Sequence, residues 1–308
     1  MKLSIVTTVY KSEKYIDEFY KKSKISAERI ISKDIEWIFV NDGSPDSSLE
    51  VLTSLQKKDK RVTIVDLSKN FGHHHAIMAG LGIAKGEFIF LIDSDLEEDP
   101  ALLEVFWEKL SLNKEIDSVY GVQKKRKGGA LEKLSGLIAY KIINCLSSTP
   151  VVPNMIMARL MRKKYVEGLL QHKDKKISLI NLFSATGFHQ DYIYVKKKHK
   201  KETSYTFLKR FFLFVNSLVS FTAKPIYIIF YFGLLSVFLS IFLILFFIVS
   251  WMLGENYLTG WLSVIMTISF FGGSTLASLG IIGIYISIIF DEVKDRPRYL
   301  IKSIIRKK

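Results

Sequence analysis

Two long apolar segments near the end of the chain restrict what it can fold into. The sequence carries no charged residue between Lys224 and Glu255, and none from there to Asp291. About 20 apolar residues in a helix already cross the hydrocarbon core of a bilayer. Two buried helices of a soluble core are the alternative, but the segments are long for that role. The pattern therefore predicts two transmembrane helices.

Charge around these segments predicts their orientation. Lys209, Arg210 and Lys224 precede the first segment, a basic stretch at 294–308 follows the second, and only Glu255 lies in the loop between them. Lys and Arg near membrane ends stay in the cytoplasm. We therefore expect both termini to be cytoplasmic.

Composition narrows the classes of partner. The 308-residue chain has a formal net charge of +14, which we assign to the membrane side and to a phosphate-bearing partner rather than to nucleic acid. Its single cysteine, Cys145, excludes a framework of disulfide bonds within the chain.

The part before the apolar segments alternates between strand-like and helix-like stretches. The strand-like runs lie at residues 3–10, 35–42, 62–68, 87–95 and 116–122. Strands that alternate with crossover helices form a mostly parallel sheet. Ligands of such sheets bind beyond the carboxyl ends of the strands. We therefore predict an α/β catalytic domain with its site in the loops that follow these runs.

Acidic residues follow the fourth run. Asp93 and Asp95 flank Ser94, so in an extended chain their side chains share one face. Two close carboxylates repel each other, and Mg²⁺ or Mn²⁺ removes that cost while bridging substrate phosphates. A lone D-x-D also occurs in solvated loops, but a second acidic loop containing Asp42 follows another run. The pattern favours a divalent metal site.

Three consecutive histidines, His73, His74 and His75, follow the third run. Neighbouring residues of a helix point about 100° apart, so the three side chains cannot all reach one ion. We expect them to begin a helix, with one of them able to contact donor or acceptor.

Several motifs carry a family resemblance. The stretches VTTVYKSEKYI, IFVNDGSPDSS, LSKNFGHHHAIMAGLGIAKGEFIFLIDSDLEEDP and VYGVQKKRKG are similar, in order and spacing, to motifs of family 2 inverting glycosyltransferases with the GT-A fold. This family includes dolichol-phosphate mannose synthase and the bacterial polyprenyl-phosphate, or bactoprenol, glucosyltransferases. SFTAKPI and DEVKDRPRY, which flank the apolar segments, are also typical of the bacterial members.

The resemblance implies a GT-A, Rossmann-like catalytic domain followed by an interfacial helix and two transmembrane helices. The predicted parts are a catalytic domain at 1–203, an interfacial amphipathic segment at 204–224, a transmembrane hairpin at 225–290 and a basic cytoplasmic tail at 291–308. The segment at 204–224 could equally pack between domains. The implied location is a bacterial inner membrane.

The resemblance also assigns the site residues. The donor nucleotide would contact Tyr10, Glu13, Asp42, Lys69 and Asp93. The metal would bind Asp93, Asp95 and Glu97, and the acceptor phosphate Arg159, Lys196 and Lys198. Asp93, Asp95 and Arg159 would be the catalytic residues. The chain departs from the family pattern at Asn154, Met157 and Ser204, where two acids and a lysine are usual.

The function implied is transfer of a sugar from a nucleotide-sugar, a UDP-sugar first of all, to polyprenyl phosphate, for cell-envelope glycan or O-antigen modification. The transfer would be one inverting displacement, and an anionic phosphate acceptor needs no strong general base. Two alternatives stay open: transfer to a saccharide hydroxyl of a lipid-linked glycan, and a non-catalytic membrane-anchored assembly subunit.

Small residues in the second apolar segment predict self-association. Gly273 and Ala277, and likewise Ser274 and Ser278, stand four apart on one helical face. Such faces let helices approach closely in lipid. Together with the resemblance they predict a homo-oligomer, with a tetramer as the first expectation, while packing against the first helix of the same subunit is the alternative.

Overall fold

The structure is a computed structural model of the chain. It describes residues 2–31, 34–124, 152–175, 178–196, 224–253 and 260–306. These fall into two compact units. The first contains the described residues up to 196 together with 296–306, and the second contains the two long apolar helices.

The first unit is built on one mixed sheet flanked by helices. Its strands are β1 (Leu3–Val9), β2 (Ile35–Asn41), β3 (Val62–Leu67), β4 (Phe88–Leu91), β5 (Ser118–Gln123), β6 (Met155–Arg162), β7 (Gln190–Val195) and β8 (Ile301–Ile305). Its helices are α1 (Glu13–Ile30), α2 (Ser48–Lys58), α3 (His73–Leu81), α4 (Leu102–Leu112), α5 (Lys163–Gln171) and α6 (Leu179–Ala185).

The described strands are ordered β7-β5-β6-β4-β1-β2-β3-β8 across the sheet. Strands β1 to β4 run parallel, as do β5 and β7, whereas β6 and β8 pair antiparallel with their neighbours. The predicted α/β sheet is confirmed as a mixed sheet. As a result, the loops that follow β1 to β5 and β7 all leave from one edge of the sheet.

Two apolar layers bury the sheet, one on each face. On β2, Trp37 and Phe39 pack into the layer with α1, α2 and α4, whereas Ile38 and Val40 pack into the layer with α3, α5 and α6. Successive strand residues point to opposite faces, so a strand covered on both sides must be apolar throughout. This explains why the central strands appear in the sequence as continuous apolar runs.

The end of the chain differs from its prediction as a separate basic tail. Residues 301–305 form β8, which pairs antiparallel with β3 at the edge of the sheet, and the Ser68 N–H donates to the Leu300 carbonyl at 2.9 Å. Edge strands tolerate lysine and polar residues because one side of the strand faces solvent. The short, mixed sequence IKSII therefore gave no clear strand pattern.

The second unit contains two helices, α7 (Lys224–Met252) and α8 (Trp261–Val293). Among the described residues, one segment, Phe270–Val293, is long and apolar enough to cross a membrane, and a shorter apolar segment lies at Ile226–Ser236. A cleft of about 450 Å³ between the helices is lined by residues of both, including Gly233, Ser274 and Ser278. Part of the predicted small-residue face thus lies against the other helix of the same chain.

Candidate active site

Asp42 follows β2 and holds the start of α3. Its carboxylate is buried, with 2% of the residue exposed. Oδ1 accepts the Phe71 N–H at 2.7 Å, and Oδ2 accepts the Gly72 N–H at 3.0 Å. These N–H groups lie just before α3, where helix geometry leaves donors without partners. Asp42 therefore fixes the loop after β3, and its contact with the donor nucleotide stays a prediction.

Gly43 brings the loops after β2 and β3 into direct contact. Its φ is +59°, and a Cβ added there would lie 2.4 Å from the Lys69 carbonyl carbon and 2.5 Å from the Asn70 nitrogen. Only glycine fits this conformation and this spacing without strain. The Lys69 ammonium lies over the Phe71 ring, 5.2 Å from its centroid. The predicted donor residues Asp42 and Lys69 thus belong to adjoining loops.

Glu13 and Asp46 cap each other's helices. The Glu13 carboxylate accepts the Ser47 N–H at 3.0 Å at the start of α2, and Asp46 accepts the Glu13 N–H at 3.3 Å at the start of α1. Burial alone would raise the pKa of Asp46, but hydrogen bonds from Ser44, Ser48 and the Glu13 backbone lower it to about 2. Glu13, predicted to contact the nucleotide, thus also ties the first two loops together.

Tyr10, also predicted at the donor, lies at the end of β1 and is 44% exposed. The Lys11 ammonium lies 5.6 Å from the centroid of its ring. The Lys11 N–H donates to Ser44 Oγ at 2.7 Å, so this loop too is fixed to the loop after β2. The predicted contact of the Tyr10 ring with the nucleotide stays a prediction.

The acidic turn after β4 carries Asp93 and Asp95. Between them Ser94 is buried, and its hydroxyl donates to the Thr8 carbonyl at 2.8 Å, which fastens the turn to β1. Asp95 Oδ1 accepts the Glu97 N–H at 3.1 Å, and Leu96 between them has a φ of +61°. Both aspartates are half-buried at the carboxyl edge of the sheet, where the sequence predicts the metal.

His73 is a site residue whose contact sequence reasoning left unassigned. Its Nε2 lies 3.4 Å from Asp93 Oδ1, and its Nδ1 lies 3.0 Å from Thr8 Oγ1. The three histidines begin α3, as predicted, and the first of them meets the acidic turn. The available signal was its position at the helix start beyond β3, which brings it to the edge of the sheet near β1 and β4.

The carboxylate oxygens of Asp93 and Asp95 are ligands that Mg²⁺ and Mn²⁺ prefer. Within the part of the chain that the structure describes, no group of three His, Cys, Asp or Glu side chains is arranged to hold a metal ion. Glu97, predicted as a third ligand, lies in the same turn. The donor chemistry thus fits a hard cation held by two carboxylates and a substrate diphosphate, and the role of Glu97 stays a prediction.

Arg159 lies inside the domain on β6, in register with Leu91 of β4 and Tyr120 of β5. It is fully buried, and its guanidinium carbon lies 3.1 Å from the centroid of the Phe183 ring. Burial lowers the pKa of Arg159 to about 10. Among the described residues, Nε and Nη1 have no hydrogen-bond partner. Its third nitrogen, Nη2, lies 3.2 Å from Met155 Sδ, and the predicted contact with the acceptor phosphate stays a prediction.

The remaining predicted acceptor residues are placed only in part. Lys196 is exposed directly after β7. Lys198 and Ser204 lie outside the described residues, as does nearly all of the predicted interfacial segment. Asn154 precedes β6 with a φ of +59°, and Met157 lies within β6.

Comparison with known proteins identifies the family. The model of glycosyl transferase family 2 matches residues 4–170, which include the loops that follow β1 to β4. The chain belongs to glycosyl transferase family 2. The predicted resemblance is confirmed, and the protein is a glycosyltransferase with a mixed α/β sheet of the GT-A type.

Relatives in this family match the chain along nearly its whole length. A Mycobacterium tuberculosis protein (strain CDC 1551 / Oshkosh), named only as a glycosyltransferase, is 42% identical over 304 residues, covering 99% of this chain and 88% of its own. The uncharacterized glycosyltransferase YkcC of Bacillus subtilis is 34% identical, covering 97% and 93%. The SfII prophage-derived bactoprenol glucosyl transferase of Shigella flexneri is 28% identical, covering 98% of each chain.

Proposed function

We propose that this glycosyltransferase moves a sugar from a nucleotide-sugar to polyprenyl phosphate at a bacterial inner membrane. The observation that carries the proposal is the whole-length similarity to proteins named bactoprenol glucosyl transferase, which extends over both apolar helices as well as the sheet. A match confined to the sheet would support only sugar transfer. The similarity over the helices supports a lipid acceptor.

The donor side rests on the joined loops at the carboxyl edge of the sheet. Tyr10, Glu13, Asp42 and Lys69 would contact the nucleotide, with a UDP-sugar as the first donor to test. Asp93 and Asp95 would hold Mg²⁺ or Mn²⁺. When bound, such an ion stabilises the charge of the departing diphosphate. The contacts of Ser94 with β1 and of His73 with Asp93 hold the acidic turn in place for this role.

The acceptor side rests on Arg159. A buried guanidinium with two unpaired nitrogens is costly unless an anion supplies the missing acceptors. A lipid phosphate satisfies this requirement, and Lys196 and Lys198 would add positive charge beside it. The attacking oxygen of a phosphate is already anionic at neutral pH, so no strong general base is required. This makes the absence of acids at Asn154 and Met157 compatible with transfer.

The membrane arrangement belongs to the same proposal. Both α7 and α8 would span the bilayer, with the catalytic unit and both termini in the cytoplasm, because basic residues flank the helices on that side only. The homo-oligomer stays a prediction. The cleft that Ser274 and Ser278 line with α7 favours packing within one subunit for that part of the small-residue face. A Cβ added at Gly273, by contrast, would meet no atom within 4 Å.

The proposal is tested with the full-length protein in membranes. Vesicles containing polyprenyl phosphate are incubated with a panel of radiolabelled nucleotide-sugars and extracted with organic solvent. We expect one donor to give a lipid-linked monosaccharide, and Asp95→Asn to abolish it with the fold retained. Asp17→Asn, at an exposed position on α1, is the matched control and should keep full activity.

The other outcomes decide against the proposal. A longer lipid-linked glycan would favour a saccharide hydroxyl as the acceptor. No labelled product with any donor would favour the assembly subunit. Undiminished activity of Asp95→Asn, or of the wild type in excess EDTA, would remove the metal assignment.

A further inference from the structure

His75, the third histidine of the run, touches two backbone carbonyls in different parts of the fold. Its Nδ1 lies 2.9 Å from the Phe71 oxygen, and its Nε2 lies 3.1 Å from the Lys175 oxygen. Both partners are acceptors, so the ring makes both hydrogen bonds as the imidazolium and one at a time as the neutral form. The side chain thus joins the start of α3 to the loop that follows α5.

One end of this contact lies at the candidate donor site. The Phe71 N–H donates to Asp42, so residue 71 is held by Asp42 from one side and by His75 from the other. His73, on the same helical turn, contacts Asp93. A shift of this turn would therefore move groups on both the nucleotide and the metal side of the site.

The other end meets the segment that returns from the second apolar helix. Lys175 Nζ donates to the Arg296 carbonyl at 2.7 Å, and the Arg298 guanidinium donates to the His172 carbonyl. Arg296 stands three residues after the end of α8 in the sequence. From Arg296 the chain continues to Leu300, whose carbonyl binds the Ser68 N–H in the loop after β3.

These contacts surround the loop at 68–72, which carries the predicted donor residue Lys69. The loop at 68–72 is bound by Asp42, by Leu300 just before β8, and by His75, which also contacts the loop at 172–175. Tyr299 and Phe71 both pack against the same apolar layer. The C-terminal segment at 296–306 is thus part of the support of the donor site.

We propose that His75 is a positioning residue for the donor site: it ties the first turn of α3, through the loop at 172–175, to the segment that follows the second membrane helix. Donor affinity then depends on a contact in which the C-terminal segment takes part. This inference rests on the proposed function, because it concerns binding of the nucleotide-sugar.

The test compares full-length variants in the lipid-vesicle assay. His75→Ala is expected to raise the KM for the nucleotide-sugar about fivefold, the scale of one lost hydrogen bond, because the neutral ring makes one at a time, and to leave the KM for polyprenyl phosphate unchanged. The donor KM of His75→Gln, whose side-chain amide keeps a hydrogen-bond donor group, should lie between those of the wild type and His75→Ala. His189→Ala changes an exposed histidine outside the donor loops and should match the wild type.

A second variant separates positioning from a general loss of stability. Lys175→Ala removes the bond to Arg296 and should raise the donor KM by a smaller factor. Both substitutions break the same series of contacts. The donor KM of the double variant should therefore be no higher than that of His75→Ala alone. Additive effects, or a lower melting temperature with an unchanged donor KM, would overturn the positioning role.

The inference and the proposed function can fail separately. Binding of UDP and GDP to wild type and His75→Ala is measured by calorimetry, independently of product formation. If the wild type forms the lipid product but His75→Ala binds nucleotide as tightly, the positioning role alone is wrong. If the wild type forms no lipid product but His75→Ala binds nucleotide more weakly, the acceptor is wrong and the positioning role stands. If the wild type binds neither nucleotide and forms no lipid product with any donor of the panel, both fail.

Discussion

Gly43→Ala should disturb the donor site and cost more stability than replacing a glycine at positive φ usually does. The new methyl group would lie 2.4 Å from the Lys69 carbonyl carbon and 2.5 Å from the Asn70 nitrogen, both of them backbone atoms. Backbone cannot rotate away as a flexible side chain can, so the loop after β3 must move. That loop carries the Phe71 and Gly72 N–H groups, which would then be pulled from the Asp42 carboxylate.

The size of the effect has two parts. Placing alanine at a φ of +59° costs about 1 kcal/mol, because its Cβ crowds the backbone. Forcing atoms into a packed contact adds about 2 kcal/mol. We therefore expect Gly43→Ala to lower the free energy of unfolding by about 3 kcal/mol in total.

Gly187→Ala is the matched control. Gly187 has a φ of +71°, but a Cβ there would meet no atom within 4 Å, so only the backbone cost of about 1 kcal/mol applies. The remaining difference of about 2 kcal/mol corresponds to a melting temperature about 4–8 °C lower for Gly43→Ala than for Gly187→Ala. The KM for the nucleotide-sugar should also rise about tenfold in Gly43→Ala only.

Melting is followed by intrinsic fluorescence of the full-length protein in one detergent, and the KM is measured in lipid vesicles. Equal melting temperatures for the two variants would refute the reasoning, because the close contact between the two loops would then cost nothing. A large loss of stability with an unchanged donor KM would show that the loop after β3 does not support the donor.

Three further predictions follow from the site and the helices. The pKa of Asp46 is lowered from 3.8 to about 2 in the folded protein, so its stabilising effect is present above pH about 4 and is lost as the pH falls through 2. Melting temperatures of Asp46→Asn should therefore fall less than those of the wild type between pH 4 and 2, and an identical fall would contradict the capping role. Arg159→Ala should raise the KM for polyprenyl phosphate more than that for the nucleotide-sugar. A higher KM for the nucleotide-sugar with an unchanged lipid KM would instead assign Arg159 to the donor side. Replacing Gly273 and Ala277 with leucine should shift the detergent-solubilised protein toward the monomer in light scattering, and an unchanged size would leave the small face to the intramolecular pair of helices.

Local patterns in the sequence predicted strands β1 to β5 but not β6, β7 and β8. Strands β1 to β5 follow from apolar runs because they are buried on one or both faces. Strand β6 contains Arg159 among apolar residues, and the sequence suggested an acceptor contact there rather than a central strand. Strands β7 and β8 are short and each contains two adjacent polar residues, and their pairing joins residues far apart in the sequence.

The site was predictable in its residue types more than in its contacts. Asp93 and Asp95 lie at the strand end where the spacing places them. The bonds of Glu13 to α2 and of Asp42 to the loop after β3 join segments about 30 residues apart. The distance between His73 and Asp93 likewise depends on how α3 packs beside β4 and β1. Spacing along one segment cannot supply such contacts, since they arise only when separate loops meet at one edge.

The central claim is tested most directly by the chemical identity of the products. The purified full-length protein in nanodiscs is given polyprenyl phosphate and the donor selected from the panel, and the lipid and the released nucleotide are analysed by mass spectrometry and phosphorus NMR. We predict one sugar joined through C1 to the lipid phosphate, with the anomeric configuration inverted, and one nucleoside diphosphate released for each lipid product. Release of nucleoside monophosphate, retention of configuration, or a sugar attached to a hydroxyl would contradict the account.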